Sequence, residues 1–177
     1  MSIVYPIVLA FFVLSCASSA NKSSSSTAVA TDQTSPQSLV VTYLSLMSQG
    51  LGDAAADLVA TEDELSLVFD CPSDAGMIDN PVEYEYRERV RELAQEAKSR
   101  GLELAFVEME NPKKEESVGV GDEWNRCRAK AAVLMLKMRV HYTVRSQDGD
   151  AAEDTDIKLI RINDRWFFRK PFKPRTH

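Results

Sequence analysis

The 177-residue chain is poor in histidine and cysteine and has no long apolar run, and each shortage closes off a class of function. Its two histidines are His141 and His177, the second of them the last residue. Such a pair builds no histidine cluster for a metal, and none of the many serines has a legible histidine base. The glycine-bearing stretch Gly119 to Trp124 lacks the downstream lysine and the strand-to-helix setting of a phosphate-binding loop. No metal and no cofactor is therefore expected. The longest uncharged apolar stretch, Ile3 to Leu14, has twelve residues with a proline at position 6. A membrane-spanning helix needs about 20. Basic charge is missing from Leu51 to Glu85, where ten acidic residues stand with no Lys or Arg, and the net charge is −6. A chain of that balance is a poor partner for nucleic acid.

The apolar stretch has the length of a secretory signal core, roughly 7 to 15 residues. Its weak point is the start, since Met1 and Ser2 carry no side-chain charge and the first basic residue is Lys22. Two processing routes fit. Ser18 and Ala20 are small enough for ordinary cleavage after Ala20, which would release a secreted or periplasmic protein. Alternatively, Val13-Leu14-Ser15-Cys16 closes the apolar run directly and resembles the lipobox of bacterial lipoproteins. That resemblance implies lipid, palmitate included, on Cys16 and an anchor in the cell membrane or outer membrane, facing the periplasm or the exterior. Removing Cys16 leaves Cys71 and Cys127, an even pair for a disulfide in an oxidising compartment or else two buried thiols. Residues 17–35 are rich in Ser, Thr and Ala and read as a flexible tether. Residues 36–170 then make one domain of ordinary size, and 171–177 a basic tail.

Within that domain, Ser35-Pro36 caps a helix with its apolar stripe at Leu39, Tyr43 and Met47, ended by Gly50 or Gly52. A short segment around Asp53 to Val59 precedes Thr61 to Glu64, a capping-box pattern. Asn80-Pro81 opens the clearest helix, with Val82, Tyr86, Val90, Leu93 and Ala97 at helical spacing and Gly101 as its stop. From Leu102 the period becomes two. Leu102, Leu104 and Phe106 face one way and Ala105, Val107 and Met109 the other, and a loop or weak edge strand follows. Between Trp124 and Arg145 the apolar phase flips near Ala132. The expectation is a bulge between Ala131 and Leu134, or two strands meeting there. Gln147 to Asp150 reads as a hairpin turn with further polar loop behind it. A strand through Ile157 to Ile162, a turn at Asn163-Asp164 and a last aromatic strand close the pattern. Helices first and antiparallel strands after them define an α+β domain, with the helices on the concave face of a curved sheet.

The run Ile157 to Arg169, IKLIRINDRWFFR, and AAVLMLKMRVHYTVR before it resemble the long strands of the NTF2-like (cystatin-like) superfamily. The resemblance implies a cone with a pocket between sheet and helices. Its members include isomerases, dehydratases and non-catalytic binding or assembly modules. Tyr43, Tyr86 and Asp57 are the polar-tipped candidates near such a pocket, Asp57 being equally readable as a solvated cap. His141 lies opposite Tyr142 in the alternation and should face away from it, so the His–Asp pair of enzyme members is not reproduced. No catalytic residue is assigned. Arg165, Arg169, Lys170, Lys173 and Arg175 form a candidate contact surface for anionic lipid or an envelope polymer. The expected role is a membrane-tethered binding or assembly module of the bacterial envelope, with another envelope protein as a possible partner. A small-ligand or isomerase-like pocket protein is the alternative.

Overall fold

A computed structural model describes residues 31–72, 83–170 and 172–174. Helix α1 (Pro36–Gln49) begins with a reciprocal cap, in which the Ser35 hydroxyl accepts from the Ser38 amide and the Ser38 hydroxyl from the Ser35 amide, both at 3.0 Å. Leu39, Val40, Tyr43, Leu44 and Met47 are buried, and Gly50 ends the helix in the left-handed region at φ 75°. Helix α2 (Gly52–Ala56) follows at once. A Cβ on Gly52 would stand 2.4 Å from the Arg91 Cα, so only glycine permits this approach to the helix above. Helix α3 (Glu62–Val68) carries the Thr61/Glu64 capping box. Helix α4 (Glu83–Ser99) buries Tyr86, Val90, Leu93 and Ala97. It ends in a Schellman pair, with the Leu102 amide on the Ala97 carbonyl at 2.8 Å and the Gly101 amide on that of Lys98 at 3.0 Å. The Asn80-Pro81 start and Val82 lie outside the described residues.

Strands β2 (Glu103–Met109), β3 (Lys114–Val118), β6 (Val133–Ser146), β7 (Gly149–Ile162) and β8 (Arg165–Phe168) form one antiparallel sheet. Its order is β2-β6-β7-β8, with β3 pairing the first half of β6 beyond β2. The sheet curls strongly into a half-barrel, so the fold is α+β with helices on a curved antiparallel sheet. A second, three-stranded sheet has the order β1-β5-β4, from Phe69–Asp70, Cys127–Ala129 and Glu123–Trp124 respectively.

The two sheets explain the phase flip. The β6–β7 register is continuous from Leu134↔Arg161 to Ser146↔Gly149, so β6 has no bulge. Instead β5 stops at Ala129, β6 starts at Val133, and the two belong to different sheets. The even positions of β6, from Leu136 to Val144, pack under α1, α2 and α4. Val133 and Met135 face the opposite way, into a second core with Phe69, Trp124, Cys127, Ile160 and Phe167. The first part of β6 is thus covered on both faces and the rest on one. The only register shift in the large sheet's described pairings falls in β2 at Val107, which has no partner between Phe106↔Tyr142 and Glu108↔His141. That bulge brings Met109 to the same core as Phe106, whereas strict alternation separates them.

Three further expectations change. The polar stretch after the Gln147-Asp148 turn is strand rather than loop, since β7 begins at Gly149 and pairs throughout with β6. Arg145 meets Asp150 there and Arg139 meets Asp156, so cross-strand charge does the work that apolar alternation does elsewhere. The domain also starts before Pro36. Gln33 is buried, its carbonyl accepts from the Trp166 amide and its side-chain amide donates to the Trp166 carbonyl, each at 2.9 Å. Finally, the chain after β8 does not stay outside the sheet. Phe172 is 3% exposed and packs into the core beneath the helices.

Candidate functional site

The space expected to form a pocket is filled by rings. Tyr43 lies 5.0 Å from Phe168, edge to face, and 5.3 Å from Phe172, while Tyr142 meets Phe172 at 5.7 Å. The Tyr43 hydroxyl donates to the Phe172 carbonyl at 2.6 Å. Burial raises its pKa well above that of a free phenol. Tyr86 is buried in the same core. Asp57 is not with them. It sits at the surface and accepts from Arg87 at 2.8 Å. Beside it, Arg91 on α4 donates to Asp53 on α2 at 2.6 Å and also to Glu88, and the Arg91 bonds hold the Asp53 carboxyl below its ordinary pKa. Among the acidic residues of residues 51–85, Asp53 and Asp57 are therefore joined to α4, not to the C-terminal basic residues.

His141 stands on the face of β6 away from the helices, 2.9 Å from Glu110. Arg165 donates to Gln33 and lies 5.2 Å over the Phe167 ring. Arg169 lies 5.2 Å over Trp124 and donates to the Met135 sulfur at 3.4 Å. Lys170 is half-buried and Lys173 exposed beyond it, and Arg175 lies outside the described residues.

A different basic feature emerges from register. On the face of the large sheet away from the helices, Lys114 of β3 is opposite Lys137 of β6, and Lys137 is opposite Lys158 of β7. The Arg169 amide donates to the Lys158 carbonyl at 2.7 Å, which adds a fourth basic residue to the row. Among the described residues, these four and Glu116 are the charged groups lining a cleft of about 220 Å³, with Met135 as part of its wall. Glu116 accepts from the Trp124 indole at 3.0 Å and pairs with Lys114 at 3.3 Å. One strand position further on, Asp156 takes Lys113 at 2.7 Å, Lys137 at 3.0 Å and Arg139 at 3.2 Å. Those bonds, Lys113 first, hold the Asp156 carboxyl far below the usual range. Lys114, Lys137 and Lys158 were legible only as polar positions of their own strands. Their one available signal was that each falls at an outward position, and pairing register was needed to bring them together.

No family model, curated protein or solved structure matches this chain. Among the described residues no helix is long and apolar enough to cross a membrane, and no group of three or more His, Cys, Asp or Glu is placed to hold a metal ion. A larger cleft of about 500 Å³ opens between β3, the Ala131–Leu134 segment and the Asn163-Asp164 turn. It gathers Glu115, Arg161 and Asp164, and Arg161 is already paired with Asp164 at 2.7 Å. A further cleft, of about 620 Å³, lies on the small sheet beside the disulfide.

Proposed function

We propose that this chain is an exported, lipid-anchored binding module of the bacterial envelope, with a domain of NTF2-like (cystatin-like) kind that works through its surface. The observation that carries the reading is the bond between Cys71 and Cys127, whose Cα atoms stand 4.2 Å apart. It uses two of three cysteines in a bond that belongs to oxidising compartments and leaves Cys16 for acylation. The uncharged apolar segment before Cys16 supports the same route. Several acyl chains at about 0.8 kcal/mol per buried CH₂ hold a protein on a bilayer without a spanning helix. The packing of Tyr43, Tyr142, Phe168 and Phe172 into one aromatic cluster favours surface contacts over chemistry in an interior pocket.

Labelling of a producing bacterium with radioactive palmitate tests the anchor. The expected outcome is label on the wild-type chain and none on Cys16→Ser, with the wild type in the membrane fraction. An unlabelled wild type, or equal label on the variant, rejects the lipid anchor. Chemical cross-linking in intact envelopes then tests the binding role, and reproducible absence of any cross-linked species opposes it.

A further inference from the structure

The cleft of about 500 Å³ beside β3 is where the helix-side face of the large sheet comes to the surface. Register places Ser117 of β3 opposite Leu134 of β6, and Leu134 opposite Arg161 of β7. This row continues the face that is buried from Leu136 to Val144, yet Leu134 is only half-buried and Ser117 and Arg161 are exposed. Val68, Ala131 and Leu134 give the cleft apolar walls. Of the charged side chains lining it, Arg161 is paired with Asp164 at 2.7 Å. Glu115 has no hydrogen bond or ion pair among the described residues. Nearby acids do have basic partners, Glu103 with Arg145, Glu110 with His141 and Glu116 with Lys114. One uncompensated carboxylate therefore stands beside an apolar wall.

The backbone next to it is open as well. Among the described residues β3 pairs with β6 and with no strand on its other side. An edge strand turns alternate amide and carbonyl groups outward, a template for another strand. At the far end of the same sheet the edge of β8 is covered by Leu58, Ala60 and Gln33. Lys114, Glu115 and Ser117 of β3 are exposed.

We propose that β3 takes an extended peptide as an added strand, with a lysine or arginine of that peptide seated in the cleft against Glu115. Backbone pairing along an edge supplies affinity, and a pocket for every second side chain supplies specificity. The pocket beside β3 offers apolar walls and one carboxylate, which suits a long apolar stem ending in a cation. A divalent metal ion fits it poorly, since such ions take about six or more oxygens and no suitable cluster exists among the described residues. This site names the partner of the surface-binding role proposed above and rests on that role, but it does not need the acyl anchor.

The test is calorimetric titration of the Cys16→Ser chain at constant ionic strength. The probe is an acetylated, amidated heptapeptide of threonine alternating with valine, its central valine replaced by lysine. A second peptide carries norleucine there, which keeps the stem and drops the charge. Saturable binding of the lysine peptide is expected, tighter than that of the norleucine peptide by about fivefold or more. Glu115→Gln keeps the size of an exposed, unpaired side chain, so the unfolding temperature should not move. That variant should bind both peptides alike. Glu108→Gln, the same change on β2, should leave the lysine preference intact. N-methylating the peptide's backbone amides, which blocks strand pairing, should abolish binding. No binding of either peptide, equal binding of both by the wild type, or a lysine preference retained in Glu115→Gln overturns the site. A methylated peptide that binds as well as its parent overturns the added strand. Dimerisation of the chain alone in sedimentation, lost in Glu115→Gln, gives the edge to a second copy and overturns the peptide. The chain used carries no acyl group, so a failed palmitate labelling leaves a positive titration standing. Cross-linked partners in envelopes without peptide binding would keep the binding role and remove this site.

Discussion

The hydroxyl of Tyr43 is withdrawn from water and donates to a carbonyl 129 residues away in sequence, that of Phe172. One bond thus closes the C-terminal segment over the helix-side core. Phe172 itself touches the rings of Tyr43, Tyr142 and Phe168, all centroids within 6 Å. Tyr43→Phe keeps the ring and removes the donor, leaving a buried carbonyl without it. The expected loss is about 1–3 kcal/mol, measured as a lower urea midpoint with an unchanged slope. An unchanged midpoint would show that the carbonyl finds another donor. Tyr43 was legible in the sequence as a core position from its helical spacing. Its bond to Phe172 was not, because prolines at 171 and 174 read as keeping a basic tail extended and outside the sheet. The segment instead folds back because Phe172 has a large ring to bury, and such burial outweighs a polar neighbourhood.

Among the elements, β7 shows how far local pattern can mislead. Its second half, Ile157 to Ile162, alternates well enough to be read as strand, whereas Gly149 to Asp156 is small and acidic and reads as loop. That acidic half is held by its partner, since β6 presents Arg139 and Arg145 to Asp156 and Asp150. Asp156 is the centre of this contact. Its carboxyl pKa is lower in the folded chain than in the unfolded one, so its contribution is complete above the ordinary carboxylate value, about 4, and declines as pH falls below it toward the folded value. Asp156→Asn should therefore lower stability at pH 7 and flatten the fall below about pH 4. Both effects should shrink in high salt, because the group is exposed. Urea unfolding across pH checks this, and parallel acid limbs in wild type and variant would refute it. The Val107 bulge is a second feature invisible locally, since nothing in Leu104 to Met109 marks which residue will be left unpaired.

For the molecule as a whole, the central fact is that the large sheet is a shared wall. Helices α1, α2 and α4 bury one side, and the small sheet with α3 buries part of the other. The Cys71–Cys127 bond joins β5 to the residue following β1, and its 56-residue separation encloses α4, β2, β3 and β4. Closing a loop of that length removes about 4 kcal/mol of unfolded-chain freedom in the entropic account. That is a large part of the 5–15 kcal/mol typical of a domain. Reduction, or Cys71→Ser/Cys127→Ser, should bring a correspondingly large fall in the urea midpoint. A midpoint unmoved by reductant would mean that the bond constrains little. The outer edge of β8 is also covered, with the Phe168 amide donating to the Leu58 carbonyl, the Ala60 amide donating to the Phe168 carbonyl, and Gln33 covering Trp166. Covering that edge removes a template for pairing with other chains.

Some of this protein was determined by sequence alone. The α1 cap, the α3 capping box, the Gly101 stop and the Asn163-Asp164 turn depend on residues within a few positions of one another, so their chemistry is complete in the local string. The α+β class follows from the order of the two periodicities, and His141 takes the face opposite Tyr142 because alternation is also local. What the tertiary structure decided is everything that requires two distant strands to choose a register. It decided between a bulged strand and two strands near Ala132 by placing β5 and β6 in different sheets, turned an acidic loop into the first half of β7, and drew Phe172 inward. It also aligned Lys114, Lys137 and Lys158 with Arg169. A one-residue shift in any of those pairings would scatter the four charges, which is why no reading along the chain could assemble them.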